Sequence, residues 1–418
     1  MTPSPTAARS IRRAAPAAAA LAGALVLTAC AGAPAPAPAA STAADEARPH
    51  GYVEGAAELA EPAHLLAAID AAGAVRLLDP VTEEVEELGG IGATTHVADD
   101  GRFLAATTAE GVVIVDAGAW TVDHGDHAHY YSAEPRIVGT LDVGTLDAGT
   151  GDPQGAVAIV SSESVTAVRA GDEVVLLDRD ALGQGEVVEL GRQQGAAPAG
   201  FAAPLGDGLV LATASAVEAR DAEGAVAESV PCTDAAGGIR TRVGVVLGCA
   251  EGAVLAVEED AGVALERIDL PAGTGAALRP TAFAMRAGRA TAAAVAGEAG
   301  YWLLDTRERA WTLVETEAPL VRVAAVDDAD GHVVAIDAEG RVLAFDGAGA
   351  PIGASEPLLA GALADPEAAE ALSLEVDASR AYVPDATSDA VFEVDYADGA
   401  RIARTLALPS PLHLVEAG

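Results

Sequence analysis

The 418-residue sequence contains no lysine and no asparagine, and all 24 of its Lys/Arg positions are arginine. Both missing residues have AT-rich codons, so a GC-rich genome accounts for part of this bias. Aromatic residues make up only 3% of the chain, which leaves Val, Leu, Ala and Ile to fill any core. Positive charge is scarce as well: 63 acidic side chains bring the formal net charge to −39. Nucleic acid is thereby excluded as a general partner, because phosphate binding needs basic density. Docking on anionic lipid headgroups is disfavoured by the same repulsion. Such a field favours cations. Catalytic signatures are missing too: there is no G-x-S-x-G elbow, no P-loop and no G-x-G-x-x-G opening a helix. The carboxylates are too numerous and too evenly spread to single out a catalytic pair, so the chain reads as a non-enzyme.

Half of the residues (51%) are hydrophobic, so the chain is not disordered by composition and can bury a large core. Its N-terminus reads as a targeting segment. Arg9, Arg12 and Arg13 precede an apolar stretch over residues 14–29 that is too short to span a bilayer. This stretch ends in Leu27-Thr28-Ala29-Cys30, which resembles the lipobox of bacterial lipoproteins. The resemblance implies removal of residues 1–29, lipidation of Cys30 and anchoring to the outer face of the cell membrane through the lipid alone. Residues 30–49 are Ala/Pro-rich and predict a flexible tether. The other two cysteines, Cys232 and Cys249, form an even pair in an oxidising compartment, which favours a disulfide over a metal or redox pair. They flank a predicted strand over 242–248.

From residue 65 onward, runs of four to six Val, Leu, Ile and Ala alternate with Gly/Asp/Glu turns, a pattern of short strands. Helical periodicity is nearly absent. The good helix candidate starts at Asp365-Pro366-Glu367, with Asp365 as cap and Pro366 in the first helical position. One unit recurs. Residues 101–106 predict a strand, Ala109-Glu110-Gly111 a turn, and Val112-Val113-Ile114-Val115-Asp116 the next strand; residues 331–346 repeat the plan. Looser copies end at Asp79, Asp178, Asp221, Glu258, Asp305 and Asp395. Successive ends lie 37, 62, 43, 37, 47, 41 and 49 residues apart. A period of roughly 40 to 50 residues with several strands per unit predicts an all-β fold, a β-propeller of eight blades, with seven as the runner-up. The 62-residue interval marks an insertion around 120–150.

The histidines fall in that insertion. Asp123-His124-Gly125-Asp126-His127-Ala128-His129-Tyr130-Tyr131 places three histidines within six residues, interleaved with carboxylates. In an extended strand, residues i and i+2 share a face, so His127 and His129 can converge on one ion. Gly125 lets the chain fold back and bring His124 or Asp126 to the same point. Neutral imidazoles with carboxylate oxygens suit Zn²⁺, with Cu²⁺ and Ni²⁺ as competitors. Binding should weaken below about pH 6, where imidazoles take up protons. Of the other histidines, His96 is the best further donor, because the first strand of a blade lines the central channel; Asp123 is a further candidate. His50, His64, His332 and His413 read as isolated structural residues.

Three stretches carry a family resemblance: Pro49-His50-Gly51-Tyr52-Val53-Glu54-Gly55-Ala56, the histidine segment 123–131, and Ala133-Glu134-Pro135-Arg136. They resemble the AztD-type zinc metallochaperones, from about His50 to the C-terminus. That resemblance implies an extracytoplasmic β-propeller that accompanies a zinc ABC transporter and hands zinc to its solute-binding protein. It also implies that His124, Asp126, His127 and His129 are the metal segment. Further channel histidines are implied in two stretches, which here read Pro198-Ala199-Gly200-Phe201-Ala202-Ala203-Pro204-Leu205-Gly206 and Cys232-Thr233-Asp234-Ala235-Ala236-Gly237-Gly238, without a histidine in either.

The resulting expectation is a lipid-anchored, monomeric propeller over residues 50–418 that binds Zn²⁺ through 123–129 and passes it to the solute-binding protein. Two other classes stay open. One is a metal-free interaction scaffold on the cell surface. The other is a propeller enzyme of the quinoprotein or lyase kind.

Overall fold

The computed structural model describes residues 51–123, 127–143, 157–260 and 262–418. The targeting segment, Cys30, the tether, His50, His124 and Asp126 lie outside the described residues, as do positions 144–156 of the insertion.

The protein is a β-propeller. Among the described residues, eight antiparallel sheets follow one another around the ring, each an up-and-down meander of neighbouring strands. The first sheet comprises residues 65–90 with the C-terminal strand; the others span 94–141, 157–194, 202–231, 238–269, 291–315, 320–354 and 375–407. The sixth has three strands, and the place of a fourth is taken by a bridge between Ala284 and Ala293. Burial is greatest in the middle strands and falls toward the outer edge of each sheet. In the second sheet Gly111–Asp116 is wholly buried, whereas the outer strand of the first, Val85–Gly90, is exposed along most of its length. That gradient explains the sequence pattern, since strands covered on both faces read as unbroken apolar runs.

The core is divided among the seams between consecutive sheets. Phe103, Ile114, Ile159, Val168 and Leu177 join the second sheet to the third. Val246, Leu255, Ile268 and Leu304 join the fifth to the sixth. Leu66, Leu78, Val391 and Leu406 join the eighth back to the first. His413–Ala417 supplies the inner strand of the first sheet, with Ala417 opposite Leu65 and His413 opposite Ile69, so the two ends of the fold close one ring.

The Asp that closes each repeat has a defined task. Its carboxylate accepts backbone N–H groups from the turn that follows: Val81 on Asp79, Gly118 on Asp116, Ala225 on Asp221, Ala350 on Asp346 and Asp398 on Asp395. Asp178 caps the helix Arg179–Gln184 in the same way. The repeat's turn glycine is equally constrained. Gly111 has φ 130°, and a Cβ there would stand 2.5 Å from the Leu141 carbonyl oxygen.

The expected helix is present as Pro366–Ala371, with Asp365 accepting from Glu367 and Ala368. A second short helix, Ala360–Ala364, precedes it. The strand predicted over 242–248 is Val245–Cys249 instead, because Thr241 and Gly244 exchange hydrogen bonds in a turn that displaces its start. Cys232 and Cys249 form a disulfide, with Cα atoms 5.3 Å apart. Among the described residues, no helix is long and apolar enough to cross a membrane.

Candidate metal centre

The insertion in the second sheet begins after Asp116. Ala119–Asp123 and Ala128–Ser132 form a hairpin, and Ala57–Leu59 pairs with its second strand to make a small separate sheet. The root of the hairpin is fixed by charge and stacking. Arg102 donates to both oxygens of buried Asp116 at 3.0 and 2.8 Å, and its guanidinium lies 3.6 Å from the centroid of the Trp120 ring. Trp120 in turn stacks on Tyr131 and donates to the Gly51 carbonyl. Toward the tip, Asp123 approaches Arg242 of the fifth sheet at 3.9 Å. The hairpin therefore reaches from the second sheet to the fifth, over the end of the ring where its root emerges.

His127 and His129 do share a region of this hairpin. Their ring centroids are 5.0 Å apart in an edge-to-face arrangement. Nδ1 of His129 is 2.8 Å from Oε1 of Glu58, on the neighbouring strand. An ionised carboxylate only accepts, so the imidazole donates from Nδ1 and keeps its lone pair on Nε2. This is the arrangement that prepares a metal-binding histidine. His129 is 24% exposed and Glu58 47%. Glu58 carried no signal in the sequence, because it meets His129 across 71 residues.

His96 does not join this group. It pairs with Thr107, at the far end of the strand from Phe103, which pairs with Asp116 at the hairpin root. Four residues of strand put these ends about 13 Å apart. His96 instead faces Glu370 at 3.9 Å, next to the helix pair. His413 lies in the same neighbourhood; burial, then the charge of His96, pushes its imidazole down to about 4. His332 is structural: it bonds Asp328 at 2.6 Å and packs on Tyr396.

His64 is not isolated either. Its Nδ1 is 2.9 Å from Oε1 of Glu416, and one donor atom each from His64, Asp377 and Glu416 lies within 4.8 Å of the others. Among the described residues, this is the only trio of His, Cys, Asp or Glu so gathered. The bond to Glu416 chiefly raises the His64 pKa, burial opposes it, and the charges of Glu416 and Asp377 add to the rise. Nearby, burial pushes Asp99 up to about 7, assisted by the charges of Asp100 and Glu416 against a bond from the Gly101 N–H. Glu375 is driven well above the carboxylate range by burial and by the charges of Asp99 and Glu416.

The two stretches expected to carry further histidines meet in the structure. Pro198, Ala199, Asp234, Ala235 and Ala236 line one cleft beside Arg279. Asp234 pairs with Arg279 at 3.7 Å. This cleft offers no nitrogen donor comparable to the hairpin's.

No protein-family model and no curated protein matches the sequence. Among solved structures, the chain is similar to Citrobacter koseri AztD, with TM-score 0.66 and 16% identity over 86% of this chain and 98% of that one. The fold is that of AztD. The apo form of the C. koseri protein gives the same TM-score and coverages at 17% identity. Dihydro-heme d1 dehydrogenase NirN in complex with DHE is similar at TM-score 0.51 and 13% identity, over 85% of this chain and 76% of that one. An AztD-like propeller thus shares its architecture with an enzyme, and function has to be argued from the site.

Proposed function

We propose that this protein is an extracytoplasmic zinc carrier, held to the outer face of the cell membrane by lipidated Cys30. Its hairpin binds Zn²⁺ and delivers it to the solute-binding protein of a zinc ABC transporter. The observation that carries the reading is the pairing of His127 with His129 at 5.0 Å while Glu58 holds His129 by Nδ1. The donor chemistry fits zinc, which takes imidazole nitrogen and carboxylate oxygen. His124 and Asp126 would complete the set.

A carrier must release its cargo to another protein. An exposed hairpin with few protein ligands leaves a coordination position for an incoming ligand, so transfer can proceed by stepwise exchange. A closed, buried four-ligand site would hold zinc too slowly. Glu58 is a positioning residue here: it fixes the tautomer that presents Nε2 of His129. The protein acts as a monomer and carries out no reaction on a substrate. The AztD-like fold and the resemblance of the histidine segment both support this reading.

The test is a zinc titration of the chain beginning at Cys30, against a competing chromophoric chelator. His127→Ala/His129→Ala should weaken zinc binding by about a hundredfold or more, whereas Glu58→Gln should cost about tenfold. Zinc should also raise the melting temperature of the parent, because a ligand that binds only the folded state stabilises it. Unchanged affinity in the double variant would sink the hairpin as the carrier's zinc site, and a parent chain that binds no zinc would leave a metal-free scaffold as the reading.

A further inference from the structure

We propose that His64, Asp377 and Glu416 form a second site for a divalent cation of the zinc type, distinct from the hairpin. The three residues come from two neighbouring sheets at the seam that closes the ring. His64 precedes the strand Leu65–Ile69, Glu416 lies in the inner strand His413–Ala417, and Asp377 directly follows the inner strand Glu375–Val376 of the eighth sheet. Their donor atoms fall within 4.8 Å of one another. The supports are rigid: Leu66, Val415 and Ala417 are buried on either side.

A His–Glu ion pair would explain two of the three residues. It does not explain Asp377, which brings a further negative charge to the pair. Asp377 is held there by other bonds: Oδ1 accepts from the Ser379 and Arg380 backbone, and Oδ2 from the Tyr382 hydroxyl at 3.3 Å. The charges that act on His64 are Glu416 and Asp377, and Glu375 feels Asp99 and Glu416. One imidazole amid several carboxylates is short of positive charge, and a divalent cation supplies it. One nitrogen and two carboxylate oxygens suit Zn²⁺, or a neighbour in its series, better than Ca²⁺, which takes six to eight oxygens.

The site shares a face with the hairpin. Asp99, beside this cluster, pairs with Leu104, at the same strand end as Phe103 and the hairpin root at Asp116. Metal bound here would sit at the mouth that the hairpin overhangs. The site stands without the carrier reading, and the two are tested separately.

Zinc alone is the probe. In the chain beginning at Cys30, His124→Ala/His127→Ala/His129→Ala removes the hairpin donors. That variant should still bind about one equivalent of zinc, and adding Glu416→Gln or Asp377→Asn should weaken it by about tenfold or more. Asp377→Asn keeps an acceptor for the Ser379 turn, and His64→Gln provides a third variant if Glu416→Gln fails to fold. The cobalt-loaded triple variant should show d–d absorption that fades in the same variants. Absence of zinc binding in the triple variant, or binding that none of the three further changes weakens, would overturn the second site and reduce the trio to an ion pair. Neither outcome bears on the hairpin, whose own test is the parent against the double variant.

Discussion

At the scale of single residues, the same side-chain type serves opposite ends. The Asp closing each repeat is held by backbone N–H donors and has a structural task. Asp99 is different, because its carboxyl is pushed up to about 7 by burial and by the charges of Asp100 and Glu416. An unfolded aspartate titrates near 3.9, so the folded protein binds this proton more tightly. The stabilisation from it is complete below about pH 4 and is lost as pH rises through about 7. Asp99→Asn cannot ionise, so its melting temperature relative to the parent should rise between about pH 5 and about pH 8. An offset that stays constant over that range would refute the assignment. The spacing of His127 and His129 drew attention to the hairpin, although His127 precedes the strand Ala128–Ser132. Glu58 and the His64 trio were not legible, because their contacts span 71 and 352 residues.

Whole elements are placed by local rules. Asp365 and Pro366 start a helix wherever the chain allows, and they do so here. The position of the strand ending at Cys249 was less legible, because a hydroxyl at Thr241 competes for the backbone and shifts its start. The disulfide ties that strand to the segment after the fourth sheet, with a sequence separation of 17 residues. Chain entropy assigns such a link about 3 kcal/mol. The Cys232→Ala/Cys249→Ala variant should therefore lose about that much stability in urea unfolding while keeping its zinc affinity. A change in zinc affinity would mean that the link also shapes the metal centre.

The whole molecule depends on closure. His413–Ala417 is the inner strand of the first sheet and lies at the seam with the eighth, so the last residues of the chain complete the ring. Ending the chain at residue 411 should remove one complete ladder and expose the apolar faces of two sheets. The expected result is loss of the cooperative thermal transition and rapid proteolysis; a truncated chain that melts as sharply as the parent would contradict ring closure by this strand. The net charge of −39 also acts at this scale, attracting cations to every face without selecting one. Selection belongs to the few places where imidazole and carboxylate meet.

The sequence by itself determined the all-β class, the repeating meander with its closing Asp, and the insertion. These rest on short-range physics: strand alternation, turn chemistry and the period at which apolar runs recur. Only the tertiary structure decided which distant groups meet. It brought Glu58 to His129, set His96 at the opposite end of its sheet, and gathered His64, Asp377 and Glu416 at one seam. For the His64 trio ring closure is the reason, because it makes neighbours of residues from the two ends of the fold, and no local pattern records that contact.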